Sequence, residues 1–235
     1  MYRLSEKGER IQRMFDSIAP RYDLLNRLLS FGIDRRWRRF AVSLLQVPAG
    51  GRVLDVATGT GDVALEIAHQ SPADVSIVGV DISREMMELG RRKVELSPFA
   101  GRISFESAPC EALPFADGSF NGVTIAFGIR NVVDRGQGLR EMHRVLQPGG
   151  RAVILEFSTP RSRLFRALYH FYFLKVLPRI GGIFSKQSAY QYLPDSVLEF
   201  PSREAFLSMM HDAGFRNLRH FDLTGGISTV YTGDA

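Results

Sequence analysis

Cysteine is nearly missing from this 235-residue chain: Cys110 stands alone. A single thiol can form neither an intrachain disulfide nor a thiolate cage for zinc. Tryptophan is equally scarce, with Trp37 as its only representative. No uninterrupted apolar run approaches the roughly 20 residues that cross a bilayer. Residues 1–13 are polar and charged and lack the apolar stretch of a secretory leader. The five histidines, His69, His143, His170, His211 and His220, show no metal-binding spacing. Internal repeats, low-complexity linkers, zinc-finger spacings and RNA-binding aromatic motifs are also lacking. These absences point away from secretion, metal chemistry and nucleic-acid recognition. The expectation is one cytoplasmic domain over residues 1–235. With 45% hydrophobic and 23% charged residues, the chain has enough apolar material for a substantial core.

What is present begins with positive charge. The formal net charge is +5, which suits an anionic surface or an acidic ligand. The densest run is Arg35-Arg36-Trp37-Arg38-Arg39. A run of this kind is ordinarily a solvated helix face. An indole among arginines is equally the composition of a membrane interface. Peripheral contact with an anionic bilayer, at the inner face of the cytoplasmic membrane, is therefore expected. A homodimer is compatible with the sequence, which sets no oligomeric state.

Hydrophobic periodicity divides the chain. Residues 1–46 predict a helical cap, with helices over Gly8–Ile18, Tyr22–Leu29 and Asp34–Leu45, Asp34 serving as N-cap of the third. Short apolar strands then alternate with helices. Strands are expected at Arg52–Ala57, Val75–Val80, Ile103–Ser107, Gly122–Phe127 and Arg151–Phe157. The helices between them cover Val63–Gln70, Glu85–Val94 and Leu139–Leu146. This alternation predicts a parallel sheet covered on both faces. After a helix at Arg203–Ala213, Leu218–Leu223 and Ile227–Thr232 are joined only through Thr224-Gly225-Gly226, so they must be antiparallel. A Rossmann-like, seven-stranded α/β sheet ending in an antiparallel hairpin is the class I methyltransferase architecture.

The strongest motif runs from Val53 to Asp62, V-L-D-V-A-T-G-T-G-D. A strand enters a glycine turn that opens a helix, and Asp81 ends the next strand, where a carboxylate can receive ribose hydroxyls. Gly59-x-Gly61-x-x-Ala64 also satisfies a dinucleotide fingerprint. Asp55 and Asp62 flank the loop and would repel a pyrophosphate, which needs an anion-free helix terminus. They suit a cation such as the sulfonium and ammonium groups of S-adenosylmethionine. Glu111–Asn121, with its L-P-F-x-D-x-S-F core, and Arg144-Val145-Leu146-Gln147-Pro148-Gly149-Gly150 resemble segments flanking the fourth strand and preceding the fifth in small-molecule methyltransferases.

Three further segments carry a narrower resemblance. Phe15–Asn26 is similar to an F-x-x-I-A-x-x-Y-D-x-x-N opening, Phe127–Val132 to F-G-[LI]-R-N-V, and Tyr190–Ser196 with Phe200-Pro201 to Y-x-Y-L-x-x-S…F-P. Together they resemble the ubiquinone/menaquinone biosynthesis C-methyltransferase family, from Phe15 to the C-terminus. The resemblance implies methyl transfer from S-adenosylmethionine, without a metal, to a ring carbon of a prenylated quinol. Demethylmenaquinol is the first expectation. A 2-polyprenyl-6-methoxy-1,4-benzoquinol, or another lipid-like substrate such as a sterol or phospholipid, is the alternative. A non-enzymatic subunit that binds S-adenosylmethionine or quinone is a third reading, which the intact glycine loop disfavours.

The resemblance also assigns residues. Asp55, Gly59, Thr60, Gly61, Asp81, Ile82, Pro109, Cys110 and Ala126 are expected at the cofactor. Pro109-Cys110 stands where the family has Asn/Asp-Ala, and Pro109 has no side-chain acceptor for the adenine amino group. Ala126 replaces a serine of some members. Ala57 replaces a glycine, a change tolerable at negative φ. Tyr22, Asn26, Tyr190 and Tyr192 are expected at the substrate, with residues 160–200 as a lid insertion whose aromatic stretch Leu164–Leu177 is either buried or faces lipid. Arg130 and Asn131, just past the fourth strand, are the expected catalytic residues. Arg130 would support quinolate charge without acting as a base, and Asn131 would hold a water or the quinol oxygen.

Overall fold

In the computed structural model of the protein the described residues are 4–162 and 187–235. The Leu164–Leu177 stretch falls outside them. Three helices open the chain: α1 (Glu6–Ile18), α2 (Tyr22–Leu29) and α3 (Asp34–Ser43). Ser5 caps α1 by accepting the N–H of Gly8. The expected cap at Asp34 is corrected. Ile33 is the N-cap of α3, and the Asp34 carboxylate instead accepts Ser30 Oγ at 2.6 Å and pairs with Arg38 one turn on.

The body alternates β1 (Arg52–Val56), α4 (Asp62–Gln70), β2 (Ser76–Asp81), α5 (Arg84–Glu95), β3 (Ile103–Ser107), β4 (Phe120–Ala126), α6 (Arg135–Val145) and β5 (Leu146–Phe157). The remaining elements are α7 (Gln187–Leu198), α8 (Arg203–Asp212), β6 (Arg216–Leu223) and β7 (Ser228–Asp234). The seven strands form one sheet in the order β3-β2-β1-β4-β5-β7-β6. The first five are parallel, and β7 inserts antiparallel between β5 and β6. β5 starts at Leu146, five residues earlier than the apolar pattern indicates. Leu146 pairs with Phe120 and the ladder resumes at Arg151, so the Pro148-Gly149-Gly150 stretch is a bulge between them, with no hydrophobic signature.

Burial explains the strand runs. β1, β2, β4 and β5 are covered on both faces, so apolar side chains appear on both sides of each strand. One core cluster holds Phe120, Leu139, Phe206 and Tyr231 on one face. The other holds Val53, Ile67, Ile77 and Val153, and α3 adds Trp37 and Val42 to it. Strand order reverses between β1 and β4, each extending the sheet in the opposite direction. The carboxyl ends of strands at such a reversal leave a crevice for ligands.

Candidate active site

The crevice is there. A cavity enclosing roughly 750 Å³ of empty space, part of it open to solvent, sits over the ends of β1, β2 and β4. Its floor is Val56, Ala57 and Gly59 after β1, then Asp81 and Ile82 after β2. Ala108, Cys110 and Glu111 line one side, and Ala126, Phe127, Gly128 and Asn131 the other. α1 and the start of α2 close it with Leu4, Gly8, Ile11, Phe15 and Tyr22.

Asp81 organises the floor. Its Oδ2 accepts the N–H of Gly59 and its Oδ1 the N–H of Ser83, both at 2.8 Å. Each oxygen retains a lone pair for a ligand hydroxyl. Burial pushes its carboxyl up to about 6, against the pull of these backbone donors. Gly59 has φ +55, and a Cβ there would meet nothing within 4 Å. Backbone conformation, not crowding, calls for glycine at that position. A vicinal diol beside Asp81 and an apolar wall for a ring at Ile82 and Cys110 fit the ribose and adenine of S-adenosylmethionine.

Other expected cofactor residues sit outside the cavity lining. Asp55 is buried, with Thr124 Oγ1 donating to Oδ1 at 2.7 Å and Thr58 Oγ1 to Oδ2 at 2.6 Å. Burial raises its carboxyl to about 6. Asp55 thus braces the glycine turn from behind. Thr60 Oγ1 donates to Asp23 Oδ1 at 2.6 Å and accepts Lys93 Nζ at 2.9 Å, which ties the loop to α2. Gly61, at φ +78, packs where a Cβ would lie 3.1 Å from Phe105. Asp62 pairs with Arg38 at 3.1 Å and Lys93 at 2.7 Å. These cations hold its carboxyl low against desolvation. The electrostatic case built on Asp55 and Asp62 is therefore corrected. One acid is bonded to hydroxyls and the other already has two cations, so neither presents open charge to a sulfonium. Pro109 is half-buried beside the lining, while Cys110 lies in it, its thiol pushed above the ordinary range by burial.

Ala57 also departs from expectation. Its φ is +51, inside the left-handed region, where a Cβ is strained. A Cβ on the neighbouring Gly128 would fall 2.6 Å from the Ala57 Cβ. The two positions are sterically coupled: with alanine at 57, residue 128 has to be glycine.

Arg130 and Asn131 form a short 3₁₀ turn after β4 (Ile129–Asn131). Asn131 lines the cavity. Arg130 is buried and pairs with Glu156 of β5 at 2.9 Å through Nη1. Its Nη1 also donates to the carbonyl of Phe127, and its backbone N–H to Glu156 Oε2 at 3.2 Å. Glu156 Oε1 further accepts the N–H of Phe157 at 2.8 Å. Arg130 is not part of the cavity lining, so the expected support of quinolate charge finds no open guanidinium at the cavity. Burial raises the phenols of Tyr22 and Tyr192, and the nearby Arg130 opposes that rise in both. Asn26 hydrogen-bonds the Tyr22 hydroxyl. Tyr192, on α7, donates to Asn131 Oδ1 at 3.1 Å. The side chain of Tyr190 lies outside the described residues.

Residues outside the cavity lining brace its walls. Gln12 Nε2 donates to the Ile82 carbonyl at 2.8 Å, and Ser83 Oγ to Asp16 Oδ1 at 2.6 Å. Lys93 bridges Asp23 and Asp62. Asp16 and Asp23 fall inside the Phe15–Asn26 segment, which was their sequence signal. Glu156 and Lys93 had none, because one lies in an apolar strand and the other on an ordinary charged helix. Trp37 corrects the membrane-interface reading of its run. It is buried against Phe127 and Phe157, and its Nε1 donates to Thr224 Oγ1 at 2.9 Å.

Among the described residues no helix is long and apolar enough to cross a membrane, and no cluster of three metal-ligating side chains occurs. Among solved structures, a SAM-dependent methyltransferase from Thermotoga maritima, a possible histamine N-methyltransferase, superposes with TM-score 0.67 at 21% identity. The match covers 95% of this chain and 99% of that one. The [4+2]-cyclase SpnF superposes with TM-score 0.71 at 16% identity, over 97% of this chain and 96% of its own. At these identities the likeness is one of fold. The ubiquinone/menaquinone biosynthesis C-methyltransferase UbiE of Geotalea uraniireducens is 74% identical over the full length of both chains. The demethylmenaquinone methyltransferase of Deinococcus radiodurans is 51% identical, covering 97% of this chain and 94% of its own. The family model described as the ubiE/COQ5 methyltransferase family matches residues 3–234. The protein belongs to that family.

Proposed function

We propose that this protein methylates a ring carbon of a prenylated naphthoquinol, converting demethylmenaquinol to menaquinol. The observation that carries the reading is the match along nearly the whole chain to two relatives, one named for ubiquinone/menaquinone biosynthesis and one for demethylmenaquinone methylation. The largely apolar, partly open cavity whose ribose-type acceptor is Asp81 agrees with it. S-adenosylmethionine supplies an electrophilic methyl on its sulfonium. The chain's own residues do the rest. Asp81, oriented by Gly59 and Ser83, receives the ribose hydroxyls. Leu4, Ile11 and Phe15 exclude water and cover the cofactor, which strengthens every polar contact inside.

A quinol carbon becomes nucleophilic as the neighbouring hydroxyl gives its proton to solvent through the open side of the cavity. After the methyl has transferred, the ring carbon loses its own proton, which restores the hydroxyl. In this reading Asn131, which lines the cavity, holds that oxygen. Its Oδ1 is taken by Tyr192, while Nδ2 reaches the Phe127 carbonyl only at 3.4 Å and keeps another N–H for a ligand. Tyr22 lines the cavity and borders the ring, while Asn26, outside the lining, holds the Tyr22 hydroxyl. Arg130 acts as a positioning residue: the pair with Glu156 fixes the Phe127–Asn131 turn. Alignment of the two reactants within this wall supplies most of the acceleration.

The test is methyl transfer from labelled S-adenosylmethionine to a reduced, short-tailed demethylnaphthoquinol, with the product position read by NMR. Ring C-methylation is expected. Methylation at oxygen, or of a benzoquinol alone, would overturn the assignment.

A further inference from the structure

The whole formal charge of +5 resides in the first 46 residues, which hold ten basic and five acidic side chains; the rest of the chain is balanced. Folding then sorts that charge. Between residues 21 and 39 the two acids turn inward, Asp23 to Lys93 and Thr60, Asp34 to Ser30 and Arg38. Arg38 follows them inward, where it meets Asp62. Arg27, Arg35 and Arg36 remain exposed. Two apolar side chains stand among them: Leu24, 65% exposed, on α2, and Phe31, 83% exposed, at the turn into α3. Leu24 and Arg27 lie three residues apart and share a helix face. Phe31 holds φ +52, a left-handed conformation that is strained for a bulky residue.

We infer that this α2–α3 corner is the face by which the protein docks on an anionic phospholipid surface. Exposed arginines meet the headgroups, and Leu24 and Phe31 enter the interfacial layer below them. The wedge of two apolar side chains favours a bilayer over a nucleic acid, which offers phosphates without an apolar layer. The inference extends the quinol reading, because α2 also supplies Tyr22 to the cavity and a polyprenyl tail would then remain in the bilayer while its ring enters. Trp37, the residue the sequence suggested as anchor, is replaced by Phe31.

Sedimentation with phosphatidylglycerol vesicles tests it, against phosphatidylcholine vesicles and a short RNA oligonucleotide. Wild-type protein should partition to the anionic vesicles alone and leave them in high salt. Arg35→Gln with Arg36→Gln should weaken partition roughly 25-fold, taking about 1 kcal/mol for each arginine. Phe31→Asn should weaken it several-fold while keeping or raising Tm, because asparagine tolerates positive φ. Both variants should methylate a short-tailed soluble quinol at the wild-type rate. Equal partition to neutral and anionic vesicles, indifference to these substitutions, or RNA capture in place of vesicle binding would overturn the docking face. Vesicle binding as expected with no methylation of any quinol would support the face and remove the quinol reading alone.

Discussion

The hydroxyl of Tyr192 donates to Oδ1 of Asn131 across 3.1 Å, joining two segments 61 residues apart in sequence at the cavity wall. Tyr192→Phe removes this donor and frees the Asn131 amide to rotate. Turnover on quinol should fall several-fold with unchanged affinity for S-adenosylmethionine, in line with a net hydrogen-bond contribution of about 1 kcal/mol. Asn131→Ala should cost more, on the order of 10²-fold in turnover if its N–H holds the ionising oxygen. Titration calorimetry and single-turnover kinetics separate the two effects.

Arg130 and Glu156 form a buried pair, and breaking such a pair commonly costs about 3–5 kcal/mol because one charge stays uncompensated. Arg130→Ala and Glu156→Ala should each lower Tm sharply. Loss of activity in these variants alone therefore says little about chemistry. The double replacement Arg130→Met with Glu156→Leu should recover stability. If the arginine field assists quinol ionisation, turnover stays low near neutral pH and rises with pH faster than in wild type. A double variant with wild-type turnover and pH profile would make the pair purely structural.

Asp81→Ala should weaken S-adenosylmethionine binding by roughly 1–3 kcal/mol through lost hydrogen bonds. Because its carboxyl is raised to about 6, the free protein loses the charged acceptor as pH falls through 6. Affinity measured by calorimetry should drop between pH 7 and 5 in wild type and stay flat in Asp81→Asn.

Ala57→Gly should stabilise the protein by about 0.5–1 kcal/mol or leave it unchanged, since relief of φ +51 competes with added unfolded-state entropy. Gly128→Ala should destabilise strongly on the wild-type background, where the new Cβ would meet that of Ala57 at 2.6 Å. Combined with Ala57→Gly it should be tolerated much better. Denaturant melts of the four variants give the coupling directly.

Asp55 predicts a pH dependence of stability. Its folded carboxyl is raised from 3.8 to about 6, so the native state binds a proton more tightly than the unfolded chain. That contribution is fully present below about pH 4 and is lost as pH rises through 6. It amounts to at most about 3 kcal/mol for a shift of this size. Asp55→Asn should flatten the decline of Tm between pH 5 and 7.5 in the ligand-free protein.

The sequence by itself determined the alternation of strands and helices, the antiparallel C-terminal hairpin, the glycine turn and Asp81. Each is written in a local signal: apolar periodicity, a connection too short for a crossover, or a residue type demanded by backbone geometry. The Phe15–Asn26 and Phe127–Val132 segments likewise marked two cavity walls as linear words. Tertiary structure alone decided which charges are open. Asp62 and Arg38 read as exposed charges in a string, and they meet only because α3 packs on α4. Trp37 read as an interfacial anchor, and three-dimensional packing put it between Phe127 and Phe157. Arg130 read as the support for quinolate charge, with a structural salt bridge as the alternative, and β5 brought Glu156 beside it. Charge and burial depend on neighbours remote in sequence. Periodicity records which face of an element is buried, but not which partner covers it.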